Sequence, residues 1–190
     1  MNFWLRVICL LLMPLAAWAE DRPRAGILWN RSGLPATFPL QVKTLPGKDY
    51  VVFLVDPDTD DPAIAGYIRG GTFFRLLVPP GNYLLRFAYG TDWRGQDDLF
   101  GPDTGWTQID KPLDFRVIGT SRRSGYLVTL IEENGSMKIV EAAPQDWCQS
   151  LRRSSQIREY PKDLPGTTDR DAPKLRYLDQ QVQIYDRLCA

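Results

Sequence analysis

Four aspartates fall inside the short segment Gly90–Trp106: Asp92, Asp97, Asp98 and Asp103. A pair of carboxyl groups flanking a sugar ring is what glycoside hydrolysis needs, one to give a proton and one to act as base or nucleophile. That chemistry would make the chain a carboxylate-dependent hydrolase of carbohydrate or cell wall. Adjacent aspartates on a glycine-rich loop are usually solvated, however, and the sequence carries no sign of an acid and a base set apart among them. The chain has no histidine. This removes the commonest general base, the Ser/His and Cys/His nucleophile pairs, and histidine-based zinc or copper sites. No Gly-x-x-x-x-Gly-Lys or Gly-x-Gly-x-x-Gly pattern joins a strand to a helix. The expectation is a non-enzymatic chain, with no catalytic residues and no cofactor.

A second acidic stretch, Asp56-Pro-Asp-Thr-Asp-Asp61, has acids at alternate positions, as at the start of a calcium loop. It lacks the glycine at the sixth position and the glutamate at the twelfth that complete such a loop. Between two apolar runs, Asp and Pro read as a turn, and no metal is expected. Aromatic residues offer a different chemistry. Trp93 and Trp106, with Tyr89 just before them, are rings that could stack on a sugar, a peptide or a cell-wall fragment. The same segment has an alternative reading, in which Trp93, Leu99 and Phe100 fold inward to cover one end of the core. Leu99-Phe100-Gly101, an apolar plug followed by a turn, favours the inward path.

The elements that must carry these residues are short and apolar. Pro39–Thr44, Tyr50–Asp56, Ile64–Arg69, Thr72–Val78, Tyr83–Tyr89, Leu113–Ile118, Tyr126–Ile131 and Met137–Val140 read as strands, each bounded by Gly, Pro, Asn or Asp. Asn134-Gly135 accepts the positive φ angles of a type I′ hairpin turn. Strands at this spacing predict a mainly β domain, an antiparallel β-sandwich over residues 20–143. Glu20–Arg24 reads as a mobile polar leader.

The composition changes after Ala143. Pro144–Ser155 reads as a short helix, Tyr160–Thr168 as a connection, and Asp171 and Pro173 as the start of a second helix. Leu175, Leu178, Val182, Tyr185 and Leu188 recur at three- and four-residue steps, one apolar stripe of a helix. Residues 144–190 are therefore expected to be a helical extension stapled by a Cys148–Cys189 disulfide.

Met1–Arg6, the apolar run Val7–Leu15 and Ala17-Trp18-Ala19 have the three parts of a secretory signal, with cleavage expected after Ala19. The apolar run is far short of the roughly 20 residues that span a bilayer. The mature chain is expected in the periplasm or secreted, with no membrane span, where a cysteine pair reads as a disulfide. The leader contains one basic residue and no acid, so the remainder carries one more acidic than basic charge. That balance opposes nucleic-acid binding, which needs a basic excess.

Val78-Pro79-Pro80-Gly81-Asn82-Tyr83, set between two strands, resembles the turn of prealbumin-like sandwiches such as carboxypeptidase regulatory-like domains. Over residues 39–108 the order Ile68-Arg69-Gly70-Gly71, Val78–Tyr83, Trp93-Arg94-Gly95 and Leu99-Phe100-Gly101-Pro102-Asp103-Thr104 resembles an uncharacterised family of exported bacterial β-domains. The resemblance implies a small β domain, often attached to other modules or to a membrane segment, and implies no activity. The function expected from all of this is binding or structural support, with another protein or a cell-envelope glycan as partner. A periplasmic inhibitor or immunity protein is compatible with the size, leader and cysteine pair.

Overall fold

The structure is a computed structural model and describes residues 22–159 and 176–189. The expected leader, the Tyr160–Thr168 connection and the Asp171/Pro173 helix start lie outside the described residues.

Among the described residues, fourteen strands make up almost all of the regular structure. They are β1 (Gly26–Asn30), β2 (Phe38–Lys43), β3 (Asp49–Val55), β4 (Pro62–Ile68), β5 (Phe74–Val78), β6 (Gly81–Gly90) and β7 (Gly105–Gln108). There follow β8 (Leu113–Phe115), β9 (Val117–Ile118), β10 (Arg122–Arg123), β11 (Tyr126–Glu133), β12 (Ser136–Pro144), β13 (Trp147–Glu159) and β14 (Arg176–Leu188). One sheet runs β1-β4-β3-β6-β7, with β8 also on β6. A second runs β12-β11-β2-β5, and a third β14-β13-β10-β9. All pairs are antiparallel except β2 with β11. Seven of the eight expected strands are present with shifted ends, and the eighth, Leu113–Ile118, is split at Arg116 into β8 on β6 and β9 on β10. Asn134 and Gly135 both have positive φ and close the two-residue turn between β11 and β12, as that pair of residues predicts.

Alternation along the strands decides what lies inside. Tyr50, Val52 and Leu54 of β3, Leu85 and Phe87 of β6, Leu40 and Val42 of β2, and Val128 and Leu130 of β11 share one buried core between the first two sheets. The intervening residues of the first sheet point to its other face, where Val51, Ala65, Tyr67 and Ala88 form a second cluster with Trp93, Leu99 and Phe100.

The helical extension expected after residue 143 is corrected by β13 and β14, which pair over their full lengths as a two-stranded ribbon. The helical stripe competes with an alternation in the same residues. Leu178, Val182, Ile184 and Leu188 all sit at even positions, so they share one face of a strand, while Tyr185 falls on the other. Cross-strand pairing with Trp147, Leu151 and Ile157 selects the period of two. The disulfide is present: Cys148 and Cys189 are bonded with Cα atoms 5.1 Å apart, at the base of the ribbon.

Within Glu20–Arg24, expected to be mobile, the described residues Arg22 and Pro23 are held in place. Arg22 forms a two-pronged ion pair with Asp49, and Arg69 donates to the Pro23 and Arg22 carbonyls.

Candidate functional site

The outer face of the first sheet is arranged in rows, because antiparallel partners point to the same side. One row takes a residue from four strands: Tyr67 of β4, Val51 of β3, Ala88 of β6 and Trp106 of β7. The segment after β6 folds back over the first three of these side chains, of which Val51 and Ala88 are small. Trp93 sits edge-on to Tyr67 at 4.9 Å and to Phe100 at 5.6 Å, and both Trp93 and Phe100 are buried. The inward reading is therefore correct for Trp93, Leu99 and Phe100, but they cover the outer face of the first sheet rather than one end of the core.

Hydrogen bonds within Trp93–Thr104 hold this cover in shape. Arg94 N–H donates to the Leu99 carbonyl and Leu99 N–H to that of Gly95. The Thr104 hydroxyl accepts from Phe100 N–H and donates to the Gly101 carbonyl. The Tyr83 hydroxyl donates to Pro80 at the preceding turn. Arg69 holds the Arg22 and Pro23 carbonyls, and Gly70 N–H holds Asp49. These are tasks of folding rather than of recognition.

The adjacent row crosses all five strands: Trp29, Ala65, Phe53, Arg86 and Gln108. Because Ala65 between them is small, the Trp29 and Phe53 rings approach to 6.3 Å. Phe53 in turn stacks with Trp106 at 6.0 Å and an interplanar angle of 27°. Trp106 is 51% exposed. Trp29 and Phe53 are half-buried. Polar groups frame the rings. The Arg31 guanidinium lies 4.2 Å from the Trp29 ring centre. Arg86 donates to Asp60 at 2.6 Å and to Gln108 at 2.8 Å, which fixes its planar fork beside Phe53. The result is a line of aromatic faces edged by oriented donors and acceptors.

The other aromatic candidate does not belong to this surface. Tyr89 points to the core side of β6, where its hydroxyl accepts from Met137 N–H and bridges the two main sheets. Its ring packs near Tyr50, with Lys48 above it. It is a clasp between sheets, so of Trp93, Trp106 and Tyr89 only Trp106 presents a free ring.

The acidic candidates are separately accounted for. Asp92, Asp97, Asp98 and Asp103 are all exposed, and Asp92 pairs with Arg94. Asp56 accepts from the N–H groups of Asp58 and Thr59, a turn capped by its own side chain. Asp60 is held by Arg86. Among the described residues no group of three or more Asp, Glu, Cys or His side chains converges as a metal site.

Asp49 is the buried acid that the sequence did not single out. Burial alone would raise its carboxyl, but hydrogen bonds from Arg22, Tyr67 and Gly70 N–H, and the Arg22 charge, hold it below the usual carboxylate value. Arg22, Asp49 and Gly70 line an open polar pocket of about 380 Å³ with Lys48 and Thr91. With its acceptors already engaged, Asp49 is a fastener of the first sheet and not a base.

Trp29, Phe53, Arg31, Arg86 and Gln108 were missed as site residues. Phe53 lies in the unbroken apolar run Tyr50–Val55, in which no alternation tells the core face from the outer one. Trp29 was harder: β1 is short and irregular between Ile27 and Trp29. Comparison with family models, curated proteins and solved structures finds no match to this chain.

Proposed function

We propose that the chain is an exported, non-enzymatic binding module, built on a prealbumin-like β-sandwich, that holds a cell-envelope glycan across the row Trp29–Phe53–Trp106. The observation that carries this reading is the continuous line of three rings, from β1, β3 and β7, ending in the exposed Trp106. A large exposed ring continuous with two others is informative where a lone exposed apolar residue is not.

The location favours a glycan over an extended peptide. Peptides in extended form commonly add to a sheet edge, where free backbone groups provide affinity. This row lies on a sheet face, whose backbone groups are used in the ladders. Recognition there falls to side chains alone. Ring faces suit the apolar C–H faces of sugars, and the Arg86, Asp60, Gln108 and Arg31 groups suit their hydroxyls.

The test is titration of the protein with soluble fragments of envelope polysaccharide, followed by tryptophan fluorescence. Saturable binding that weakens at least tenfold in Trp106→Ala, with unchanged unfolding, is expected; about 1.4 kcal/mol corresponds to that factor. Absence of saturable binding to any glycan fraction, or binding indifferent to Trp106, removes the proposal.

A further inference from the structure

The ribbon of β13 and β14 leaves the main body of the fold. Its strands pair with each other over thirteen residues each, and only Trp147 and Cys148 of β13 also pair with β10. At this length the ribbon extends about 40 Å. Among the described residues β14 has no strand on its other side. Leu178, Val182, Ile184 and Leu188 on one face of β14 are between 51% and 64% exposed. A two-stranded hairpin is marginal in water, and a long free edge with apolar alternates is a template for another strand.

We propose that β14 pairs antiparallel with β14 of a second copy about a two-fold axis through Gln183, joining two ribbons into one four-stranded sheet. The argument is one of register. In such an isologous contact, residues equally far from the axis oppose each other. Groups that point to the free edge alternate along a strand, so the axis passes through a residue and even positions oppose even positions.

With the axis at Gln183, Val182 opposes Ile184 of the second copy and Leu178 opposes Leu188. Gln180 opposes Asp186, and Asp179 opposes Arg187, an acid–base pair formed twice. The Leu178/Leu188 row continues in kind across four strands, since Leu178 already pairs with Ile157 and Leu188 with Trp147, while the Val182/Ile184 row runs from Arg153 at one end to Leu151 at the other. The polar row continues too, from Ser155 and Gln180 to Asp186 and Gln149. An axis at Val182 sets Leu178 against Asp186, and one at Ile184 sets Val182 against Asp186. One at Gln181 sets Gln180 against Val182 and leaves Leu188 outside the pairing. The free edge of β13 carries Arg152, Arg153 and Arg158, like charges that oppose self-pairing.

This interface is independent of the aromatic row. It is tested on the full disulfide-bonded protein by sedimentation and by cross-linking. At about 100 µM, a concentration that reveals even modest affinity, twice the monomer mass is expected. Val182→Lys, a charge on the apolar edge, is expected to raise the dissociation constant at least tenfold without changing the melting of the main body. Gln183→Cys is expected to form an intermolecular disulfide on oxidation. Gln181→Cys, on the same face but about 14 Å from its counterpart, is expected not to. Asp179→Arg and Arg187→Asp are each expected to weaken the dimer, and the double variant to restore it. A monomer at that concentration, equal cross-linking through Gln181→Cys, or a dimer indifferent to Val182→Lys overturns the proposal.

Discussion

Phe53 and Trp106 come from β3 and β7, strands separated by β6, yet their rings stack at 6.0 Å on the outer face of the first sheet. Phe53 opposes Arg86, and Trp106 opposes Ala88, two residues further along β6. The two rings therefore meet diagonally, one row apart. The small Ala88 beneath Trp106 leaves room for that contact, and the half-exposed indole is left free on its other side.

Trp93 and Trp106 are expected to separate cleanly by substitution. Trp93→Ala removes a buried ring between Tyr67 and Phe100 and is expected to cost about 3–5 kcal/mol. Trp106→Ala removes an exposed ring and is expected to cost less than about 1 kcal/mol of stability while weakening glycan binding at least tenfold. Urea unfolding of both variants, beside a binding assay, measures the difference. A stable Trp93→Ala protein would contradict the packing described.

Gly90 is where the covering segment leaves β6. A Cβ at this position would stand 2.4 Å from Cβ of Phe100. Gly90→Ala is therefore expected to lift Phe100 from the sheet face and destabilise by about 1–3 kcal/mol, as overpacking does. The change is read as lower urea resistance and increased exposure of Trp93 to a fluorescence quencher.

Asp49→Asn is expected to destabilise by about 2 kcal/mol at neutral pH, through loss of charge-assisted hydrogen bonds to Arg22, Tyr67 and Gly70. Because the native carboxyl is held below its ordinary value, its contribution is complete above the unfolded value of about 4 and is lost as pH falls through the native one. The gap between the two proteins should therefore narrow in acid. Tyr50 gives the alkaline limb: burial first, then the Glu132 and Asp49 charges, push it up to about 12. Its contribution is complete below pH 10 and is lost as pH rises through 10 to 12. Unfolding measured at acid, neutral and alkaline pH checks both signs.

The Cys148–Cys189 bond closes a loop with a sequence separation of 41, which in the chain-entropy model corresponds to about 4 kcal/mol. That loop contains the ribbon and none of the shared core. Replacing both cysteines by serine is expected to speed amide exchange throughout β13 and β14 while leaving β3 and β6 protected. Loss of protection in β3 would show that ribbon and core fold as one unit.

The strands of the main body were legible because apolar runs and turn residues agree there. In Tyr50–Val55 an unbroken apolar run between turn residues marks a strand buried on both faces, and Asn134-Gly135 fixes a hairpin. The ribbon was not legible, since Leu178, Val182 and Leu188 satisfy a helical step and a strand step equally, and the deciding contacts come from Leu151 and Ile157 on another strand. Burial of Trp93 depends on Val51, Ala65 and Ala88 being small on one face at once. That is a property of strand order, which residue spacing does not state. The aromatic row is of the same kind: Trp29, Phe53 and Trp106 are far apart in the chain and become neighbours only through the β1-β4-β3-β6-β7 order.

The most direct measurement uses the indole N–H resonances of Trp29, Trp93, Trp106 and Trp147, which report on the row, the cover and the ribbon base. Titration with soluble envelope glycan is expected to shift Trp29 and Trp106 together, saturably, while Trp93 and Trp147 stay in place. Shifts confined to Trp93 or Trp147, or no shift at saturating glycan, would contradict binding across the aromatic row.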